Sequence, residues 1–199
     1  MLKNIIFDCG GVICEYVGQD ILDRYFDRAD QPIVQPVLYR DWNGLDAGTR
    51  NYWEYAHESE GLVPERLKEK VRFFFQDWFR TQPPIEGTWA LAARLKARGY
   101  GVYLLSNAPT VYADYIAEIF PILKMFDGLV ISAPIHKIKP NADIFEYILQ
   151  KYGLIAEECL FVDDMETNVK GAIACGMQGY HYHADAEKLL KAIEAQEEK

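Results

Sequence analysis

The sequence is poor in cysteine and has no long hydrophobic run. Its four cysteines, Cys9, Cys14, Cys159 and Cys175, form no CxxC pair. We therefore expect reduced, structural thiols rather than a metal or redox site, and a cytoplasmic protein. The apolar stretch at the N-terminus is interrupted by Asp8, too early for the hydrophobic region of a signal peptide. No apolar run approaches the roughly 18 residues of a membrane span, so no membrane partner is expected.

Basic residues are also scarce relative to acidic ones. There are 21 Lys and Arg against 30 Asp and Glu, a formal net charge of -9. This balance argues against a protein that tracks a nucleic-acid backbone, which normally presents a basic face. The 14 glycines and 9 prolines are scattered, and half of the 199 residues are hydrophobic, so the chain is long and apolar enough for one or two compact domains. An anionic substrate would need a local source of positive charge.

Five short apolar runs lack helical periodicity and are typical of buried strands. They cover residues 2–7, 101–105, 128–131, 159–162 and 179–183. Helix-like stretches lie between them, and two of these end before Gly99 and Gly153, as helix C-termini often do. This alternation predicts a parallel α/β sheet with helices on both faces. Ligands of such sheets bind beyond the carboxyl ends of the strands.

Residues 15–84 interrupt this alternation with aromatic and charged residues at helical spacing. Two amphipathic faces stand out, Ile21, Leu22, Tyr25 and Phe26 in the first and Leu67, Val71, Phe74, Phe75 and Trp78 in the second. Pro32, Pro36 and the Pro83-Pro84 pair are natural breaks between helices. We predict a helical cap at 15–84, inserted into an α/β core formed by residues 1–14 and 85–199.

Carboxylates follow two of the predicted strands. Asp8 comes directly after the first strand and before Gly10 and Gly11, while Asp163 and Asp164 end the fourth strand. Asp8 alone is more simply explained as a turn residue. Adjacent acids at a strand end repel each other unless a cation lies between them, and oxygen ligands with room for water suit Mg²⁺. The three carboxylates together predict a magnesium site.

Groups that could bind an anion follow other strands. Ser106 and Asn107 end the second core strand and can donate hydrogen bonds to phosphate oxygens, and Lys139, before Pro140, supplies a cation. Singly, these residues are equally consistent with a loop turn and a solvated lysine, and Lys137 is close enough to be confused with Lys139. The order Asp, Ser, Lys, Asp-Asp at successive strand ends is much more specific.

With this order of motifs, the sequence resembles the haloacid dehalogenase superfamily. In this resemblance Asp8 is similar to the nucleophile of the first motif, Ser106 to the second-motif residue, and Lys139 to the third-motif lysine. Asp163 and Asp164 are similar to the acidic fourth motif. The resemblance implies a three-layer, Rossmann-like sheet of order 5-4-1-2-3 and identifies the helical insertion as a C1-type cap.

The resemblance also implies a mechanism in which Asp8 attacks phosphorus and forms an aspartyl-phosphate that water hydrolyses. The implied magnesium ligands are Asp8, the Gly10 carbonyl, Asp163 and Asp164, and the implied phosphate-binding groups are Ser106, Asn107 and Lys139. The substrate would be a small phosphorylated metabolite, with sugar phosphates among the candidates. Neither the exact substrate nor the oligomeric state can be inferred from the sequence.

One position departs from the family pattern. Most phosphatases of the family have an acid/base aspartate two residues after the nucleophile, and here that residue is Gly10. Such a group is typically worth about 10²- to 10⁴-fold in rate. We consider Glu15 or a cap residue as a substitute, and the segment 43–46 as a turn that faces the substrate. The cap aromatics Tyr16, Tyr39, Trp42, Trp53 and Tyr55 could stack on the substrate, although core packing explains aromatics at helical spacing more simply.

Two other functions stay open. A 2-haloacid dehalogenase would need no acid for its halide leaving group, but it also has no use for clustered acids that bind Mg²⁺. A catalytically weak module that binds a phosphometabolite or a protein is the third possibility. We predict a Mg²⁺-dependent phosphatase, because phosphoryl transfer needs a cation to screen the carboxylate from the phosphate.

Overall fold

The computed structural model describes residues 1–197 and contains a five-stranded parallel sheet. Its strands are β1 (Asn4–Phe7), β2 (Gly101–Ser106), β3 (Gly128–Ile131), β4 (Cys159–Asp163) and β5 (Gln178–His181). The spatial order is β3-β2-β1-β4-β5, with β1 at the centre. Phe7 is in register with Leu104 on one side and Val162 on the other. The predicted fold class and strand order are confirmed.

The helices follow the alternation expected for such a sheet. They are α1 (Gly18–Tyr25), α2 (Gln31–Leu38), α3 (Trp42–Asp46), α4 (Tyr52–Gly61), α5 (Glu65–Asp77), α6 (Glu86–Ala97), α7 (Thr110–Ile119), α8 (Ser132–Ile135), α9 (Ala142–Tyr152), α10 (Glu166–Ala174) and α11 (Ala186–Glu197). Short 3-10 helices cover Trp78–Arg80, Pro121–Met125 and Ala156–Glu158. In the described part of the chain, no helix is long and apolar enough to cross a membrane.

The strands β1, β2 and β4 are buried on both faces of the sheet, which explains why they are almost continuously apolar, whereas β5 is only half-buried and carries polar residues. Ile5 and Phe7 of β1 belong to one buried cluster, whereas Ile6 between them belongs to another. Successive side chains of a strand point to opposite faces, so both faces of β1 need apolar residues. Polar residues begin only where the strands end, at Asp8, Ser106 and Asp163. This places the functional groups along one edge of the sheet.

Five helices, α1 to α5, occupy the segment predicted as the cap. Every residue of the two predicted amphipathic faces is buried. The prediction that Pro36 separates two helices is wrong: Pro36 lies inside α2. A proline in this position forgoes one backbone hydrogen bond, and burial of Val34 and Leu38 holds the short helix nonetheless. We propose that residues 15–84 act as the cap; its boundaries stay a prediction.

All four cysteines are free in the structure, as the sequence predicts. Cys9 and Cys14 are both buried, with their Sγ atoms 3.8 Å apart. The Sγ atom of Cys14 lies 3.8 Å from the Tyr112 hydroxyl. These thiols pack beside the end of β1.

Candidate active site

Lys139 joins two carboxylates at the carboxyl edge of the sheet. Its Nζ atom lies 2.8 Å from Oδ1 of Asp8 and 2.7 Å from Oδ2 of Asp163. All three side chains are buried. Ion pairs as buried as these are only weakly screened by solvent, so the single ammonium group partly neutralises two carboxylates. Lys137 lies outside this cluster and pairs with Asp143 at 3.1 Å.

The oxygens of Asp163 are engaged by the protein itself. Oδ1 accepts the backbone N–H of Met165 at 2.8 Å, and Oδ2 accepts the Lys139 ammonium at 2.7 Å. Nδ2 of Asn168 lies 3.1 Å from both oxygens. Asn168 therefore orients the acidic loop.

Asp164 differs from Asp163 in being exposed. The backbone of Gly11 approaches it so closely that a Cβ atom at position 11 would lie 2.4 Å from Oδ2 of Asp164. Gly11 also has a φ of +71°, which favours glycine. A side chain at position 11 would therefore displace the Asp164 carboxylate.

The three acids form a group that fits a divalent cation. Oxygen atoms of Asp8, Asp163 and Asp164 lie within 4.8 Å of one another. Hard oxygen donors with one exposed carboxylate suit Mg²⁺, which keeps part of its water shell in protein sites. Gly10 lines the adjacent cavity, as its predicted role as a carbonyl ligand requires.

The electrostatics of the cluster show that Lys139 does not fully compensate the acids. Burial raises the pKa of Asp8 to about 7, with a further contribution from Asp163, while Lys139 acts in the opposite direction. Burial, followed by the charge of Asp163, also raises the pKa of Asp164. Burial alone would lower the pKa of Lys139, but its two carboxylate partners raise it overall. A bound divalent cation would favour the ionised form of each acid.

Ser106 and Asn107 end β2 beside this cluster. Ser106 is buried and lines the cavity next to Asp8. The side-chain amide of Asn107 forms two hydrogen bonds with the backbone of Lys139. Nδ2 donates to the Lys139 carbonyl oxygen at 3.0 Å, and Oδ1 accepts the Lys139 N–H at 2.9 Å. These contacts hold the backbone of Lys139, and the phosphate binding that the sequence predicts for Asn107 stays a prediction.

A cavity of about 610 Å³ opens above the acids. Four aromatic side chains contribute to its walls, and these are Tyr16, Trp42, Trp78 and Tyr112. Of the cap aromatics singled out by the sequence, Tyr16 and Trp42 line this cavity, Tyr55 is buried in the core, and Trp53 is exposed. Trp78 stacks on Tyr112 with ring centroids 5.9 Å apart. Helical spacing alone could not separate the aromatics of the cavity from those of the core.

Sequence reasoning does not assign Ser132 to this region, and it includes Asp46 only as part of the segment 43–46 that is expected to face the substrate. Segment 43–46, predicted as a turn, belongs to the short helix α3, and its last residue, Asp46, lines the cavity. Ser132 Oγ donates to the Asp46 carbonyl oxygen at 2.5 Å and accepts the Ala108 N–H at 2.9 Å. Glu15, considered as a substitute acid, is exposed and is not part of the cavity wall.

The fold and this arrangement of acids and lysine agree with a comparison against family models. The model for haloacid dehalogenase-like hydrolases matches residues 2–176. The chain belongs to this family. The match spans β1 to α10, and all of the predicted site residues of this haloacid dehalogenase-like hydrolase lie within it.

Curated relatives of this haloacid dehalogenase-like hydrolase include phosphatases. A sesquiterpene phosphatase, astK, of Aspergillus oryzae is 28% identical, over 90% of this chain and 89% of the relative. A D-ribitol-5-phosphate phosphatase of Bacteroides thetaiotaomicron is also 28% identical, over 85% of this chain and 86% of the relative. The two relatives differ in their substrates, so similarity at this level does not identify one for this hydrolase.

Solved structures share the fold. A haloacid dehalogenase family enzyme of Bacteroides thetaiotaomicron, in complex with magnesium and inorganic phosphate, has a TM-score of 0.77 at 20% identity and covers 95% of this chain and 99% of its own. The L-2-haloacid dehalogenase of Xanthobacter autotrophicus has a TM-score of 0.66 at 18% identity, covering 90% and 76%. An enzyme that binds magnesium and phosphate and a dehalogenase share this fold. The fold therefore does not indicate the reaction, which has to be inferred from the residues of the site.

Proposed function

We propose that this protein is a Mg²⁺-dependent phosphatase that hydrolyses a small phosphorylated metabolite through an aspartyl-phosphate on Asp8. The observation that carries the proposal is the buried Lys139 ammonium between Asp8 and Asp163, with the exposed Asp164 carboxylate beside them. One lysine among three acids leaves an excess of acidic ligands for a divalent metal, and the metal together with Lys139 suits a phosphate dianion. The phosphatases among the relatives support the same chemistry.

In the proposed reaction, an Asp8 oxygen attacks phosphorus and the bond from phosphorus to the ester oxygen breaks. Water then attacks the aspartyl-phosphate and regenerates the Asp8 carboxylate. Lys139 and Ser106 stabilise the negative charge on the phosphoryl oxygens, Lys139 as a fixed cation and Ser106 as a hydrogen-bond donor. Asn107 contributes by holding Lys139 in place, because its amide is paired with the Lys139 backbone.

Asp8, Asp164 and the Gly10 carbonyl would hold Mg²⁺, with Asp163 oriented behind them by Lys139 and Asn168. This assignment follows from the contacts, since both oxygens of Asp163 already accept hydrogen bonds whereas Asp164 is exposed. When bound, the metal would screen the repulsion between the carboxylates and the phosphate. The magnesium and phosphate bound by the structural neighbour support this choice of ion.

The cavity walls suggest which organic group the phosphate carries. Tyr16, Trp42, Trp78 and Tyr112 supply aromatic surface, and a volume of about 610 Å³ leaves room for more than a two-carbon acid. Aromatic walls favour an apolar or planar group, or the apolar face of a sugar. We therefore expect a sesquiterpenyl monophosphate or a sugar phosphate to be a better substrate than phosphoglycolate.

The experiment is a panel that contains a sesquiterpenyl monophosphate, ribitol 5-phosphate, phosphoglycolate and 2-chloropropionate, each assayed with and without Mg²⁺. We expect phosphate release only with the metal and no chloride release. Release of chloride without metal would instead establish a dehalogenase. Absence of all turnover would overturn the proposal and favour a phosphometabolite-binding or protein-binding module.

Asp8→Asn is the matched variant for this assay, and Asp114→Asn, on the exposed side of α7, is its control. The first should abolish turnover and the second should leave it unchanged. Full Mg²⁺-dependent turnover by Asp8→Asn would show that Asp8 is not the nucleophile.

A further inference from the structure

The proposed reaction needs a proton that the residues assigned so far do not supply. An alkoxide leaves phosphorus readily only if its oxygen is protonated as the bond breaks. Gly10, two residues after Asp8, has no side chain to act as the acid. A Cβ atom at position 10 would lie 3.2 Å from Cβ of Tyr16, so Tyr16 fills the space beside it. Any proton donor must reach the leaving oxygen from elsewhere in the cavity.

Few side chains of the cavity wall carry a dissociable proton. In the described part of the chain they are Asp8, Cys9, Tyr16, Asp46, Tyr112, Lys139 and Asp164. Asp8, Lys139 and Asp164 already have roles. A hydrogen bond with Cys14 and burial raise the pKa of Cys9, and burial raises that of Tyr112, which packs against the same thiols. Asp46 and Tyr16 remain, and both belong to the helical segment that covers the site.

The backbone of Asp46 is fixed by contacts with α8, and in the described part of the chain one of its carboxyl oxygens has no hydrogen-bond partner. Ser132, at the start of α8, bonds to its backbone carbonyl oxygen. Two residues later, Gly48 packs so tightly against α8 that a Cβ atom there would lie 2.1 Å from the Ala133 carbonyl oxygen. Oδ1 of Asp46 is buried and has no hydrogen-bond partner among residues 1–197. An unpaired buried carboxyl oxygen costs free energy unless a ligand uses it.

We propose that Asp46 is the proton donor to the leaving oxygen. The inference rests on the phosphatase function proposed above. In the first step the Asp8 oxygen bonds to phosphorus, the ester bond breaks, and the Asp46 carboxyl proton moves to the departing oxygen, which leaves as an alcohol. In the second step the Asp46 carboxylate takes a proton from water, the water oxygen bonds to phosphorus, and the bond to Asp8 breaks.

The environment of Asp46 suits both steps. Burial raises its pKa to about 7, and the nearby charge of Lys139 limits the rise. A group with this pKa exists in both protonation states near neutral pH, which general acid-base catalysis requires. Tyr16 is a weaker candidate. Burial, followed by the charges of Tyr39 and Asp46, raises the pKa of its phenol above the usual value, so the phenol releases its proton less readily.

The test compares two phosphates of similar size with different leaving groups. 4-Nitrophenyl phosphate releases a phenolate that needs no proton, whereas 2-phenylethyl phosphate releases an alkoxide that does. In Asp46→Asn we expect kcat/KM for the phenylethyl ester to fall by about 10²- to 10⁴-fold, and that for the nitrophenyl ester by less than about tenfold. The value of kcat/KM depends only on the steps up to release of the alcohol or the phenol. It does not depend on the later hydrolysis of the aspartyl-phosphate, so it measures the role of Asp46 as donor alone.

The second step gives an independent signal. Without the base, the aspartyl-phosphate should accumulate in Asp46→Asn, so the nitrophenyl ester should give a burst of one nitrophenolate per enzyme followed by slow turnover. Asp46→Glu keeps a carboxyl group and should recover part of the phenylethyl activity. A purely structural role for Asp46 would produce neither the burst nor the dependence on leaving group.

Asp41→Asn is the matched control, an identical change at the exposed N-cap of the helix that Asp46 ends, where Asn can also cap the helix, and it should behave as wild type. Tyr16→Phe tests the competing donor. An equal loss on both esters in Asp46→Asn, no loss, or a loss confined to the phenylethyl ester in Tyr16→Phe would each overturn the inference. If Asp46→Asn fails to fold, the ratio of the two ester activities in Asp46→Glu and Tyr16→Phe decides. A wild-type protein inactive on both esters would instead refute the phosphatase proposal itself.

Discussion

The side-chain amide of Asn107 is paired with the backbone of Lys139 by two hydrogen bonds. Nδ2 donates to the Lys139 carbonyl oxygen at 3.0 Å, and the Lys139 N–H donates to Oδ1 at 2.9 Å. The pair links the end of β2 to the loop before α9. It therefore fixes the backbone of the residue whose ammonium lies between Asp8 and Asp163.

Asn107→Ala should lower activity without removing any group that contacts the reacting atoms. Both backbone groups of Lys139 would lose their partner, at a cost of about 1–3 kcal/mol each if they stay buried. A shift of the ammonium by about 1 Å could reduce kcat/KM by about 10²-fold. Steady-state kinetics and urea unfolding measure the two effects. Asn141→Ala is the control, because Asn141 is exposed and its side chain caps no helix. An unchanged kcat/KM in Asn107→Ala would argue against this positioning role.

Lys139→Met should destabilise the protein strongly in the absence of Mg²⁺. Asp8 and Asp163 would remain buried without their cation, and removal of one partner from a buried ion pair typically costs about 3–5 kcal/mol. Adding Asp163→Asn should recover part of this loss, because one uncompensated charge is then removed. Urea denaturation of the single and double variants tests the prediction.

Lys137→Met is the matched control for this experiment. Its ion pair with Asp143 is only partly buried, so the change should stay within about 1 kcal/mol. A double variant no more stable than Lys139→Met would indicate that Lys139 stabilises the fold through packing rather than through charge.

The stability of the metal-free protein should depend on pH through Asp46. Burial raises the pKa of this carboxyl from an ordinary 3.8 to about 7, so between these values the folded state binds more protons than the unfolded state. Stability contributed by the protonated form is complete below pH 3.8 and falls as the pH rises toward 7, by at most about 1.4 kcal/mol per pH unit.

Asp46→Asn removes this titration, so its stability curve should fall less steeply between pH 4 and 7 than that of the wild type. Chemical denaturation at a series of pH values gives both curves, and contributions from other groups, such as Asp8, largely cancel in the difference. Asp41→Asn should follow the wild type. Parallel curves for the wild type and Asp46→Asn would contradict the raised pKa.

Gly10→Asp should not increase activity in the wild-type background. The added Cβ would lie 3.2 Å from Cβ of Tyr16, an atom that rotation of the tyrosine side chain cannot move away. We expect a loss of stability of about 1–3 kcal/mol from overpacking. If Asp46 is the donor, Gly10→Asp combined with Tyr16→Ala should recover activity toward 2-phenylethyl phosphate in an Asp46→Asn protein. Increased activity from Gly10→Asp alone would mean that Tyr16 yields and that no effective donor was present.

The parallel sheet and its polar edge were predictable because both depend on local patterns. A run such as Ile5 to Phe7, apolar at every position, fits only an element buried on both faces, and the first polar residue after it marks the end of the strand. The same reasoning located Ser106 and the Asp163-Asp164 pair, whereas Lys139 lies beyond α8, eight residues after the end of β3. The family motifs combine these positions into one site, and the structure brings Asp8, Lys139 and Asp163 into direct contact.

The roles within the site depended on contacts between distant parts of the chain. The sequence does not show how the roles of Asp163 and Asp164 differ, or how those of Lys139 and Lys137 differ, because the two residues of each pair have the same local chemistry. Only the packed structure shows that Asp163 is enclosed by Lys139 and Asn168 while Asp164 remains exposed. Asn107 likewise holds Lys139 across 32 residues of sequence.

The sequence by itself therefore determined the fold class, the order of the chemical groups and their common edge of the sheet. Only the tertiary structure decided that, among residues 1–197, no group pairs with the buried Oδ1 of Asp46, that Ser132 fixes the Asp46 backbone 86 residues away, and that Tyr16 fills the space beside Gly10. The physical reason is that strand formation follows from the periodicity of burial along the chain. The distance between an acid such as Asp46 and the site depends instead on how one helix packs against another, and no local sequence pattern encodes this packing.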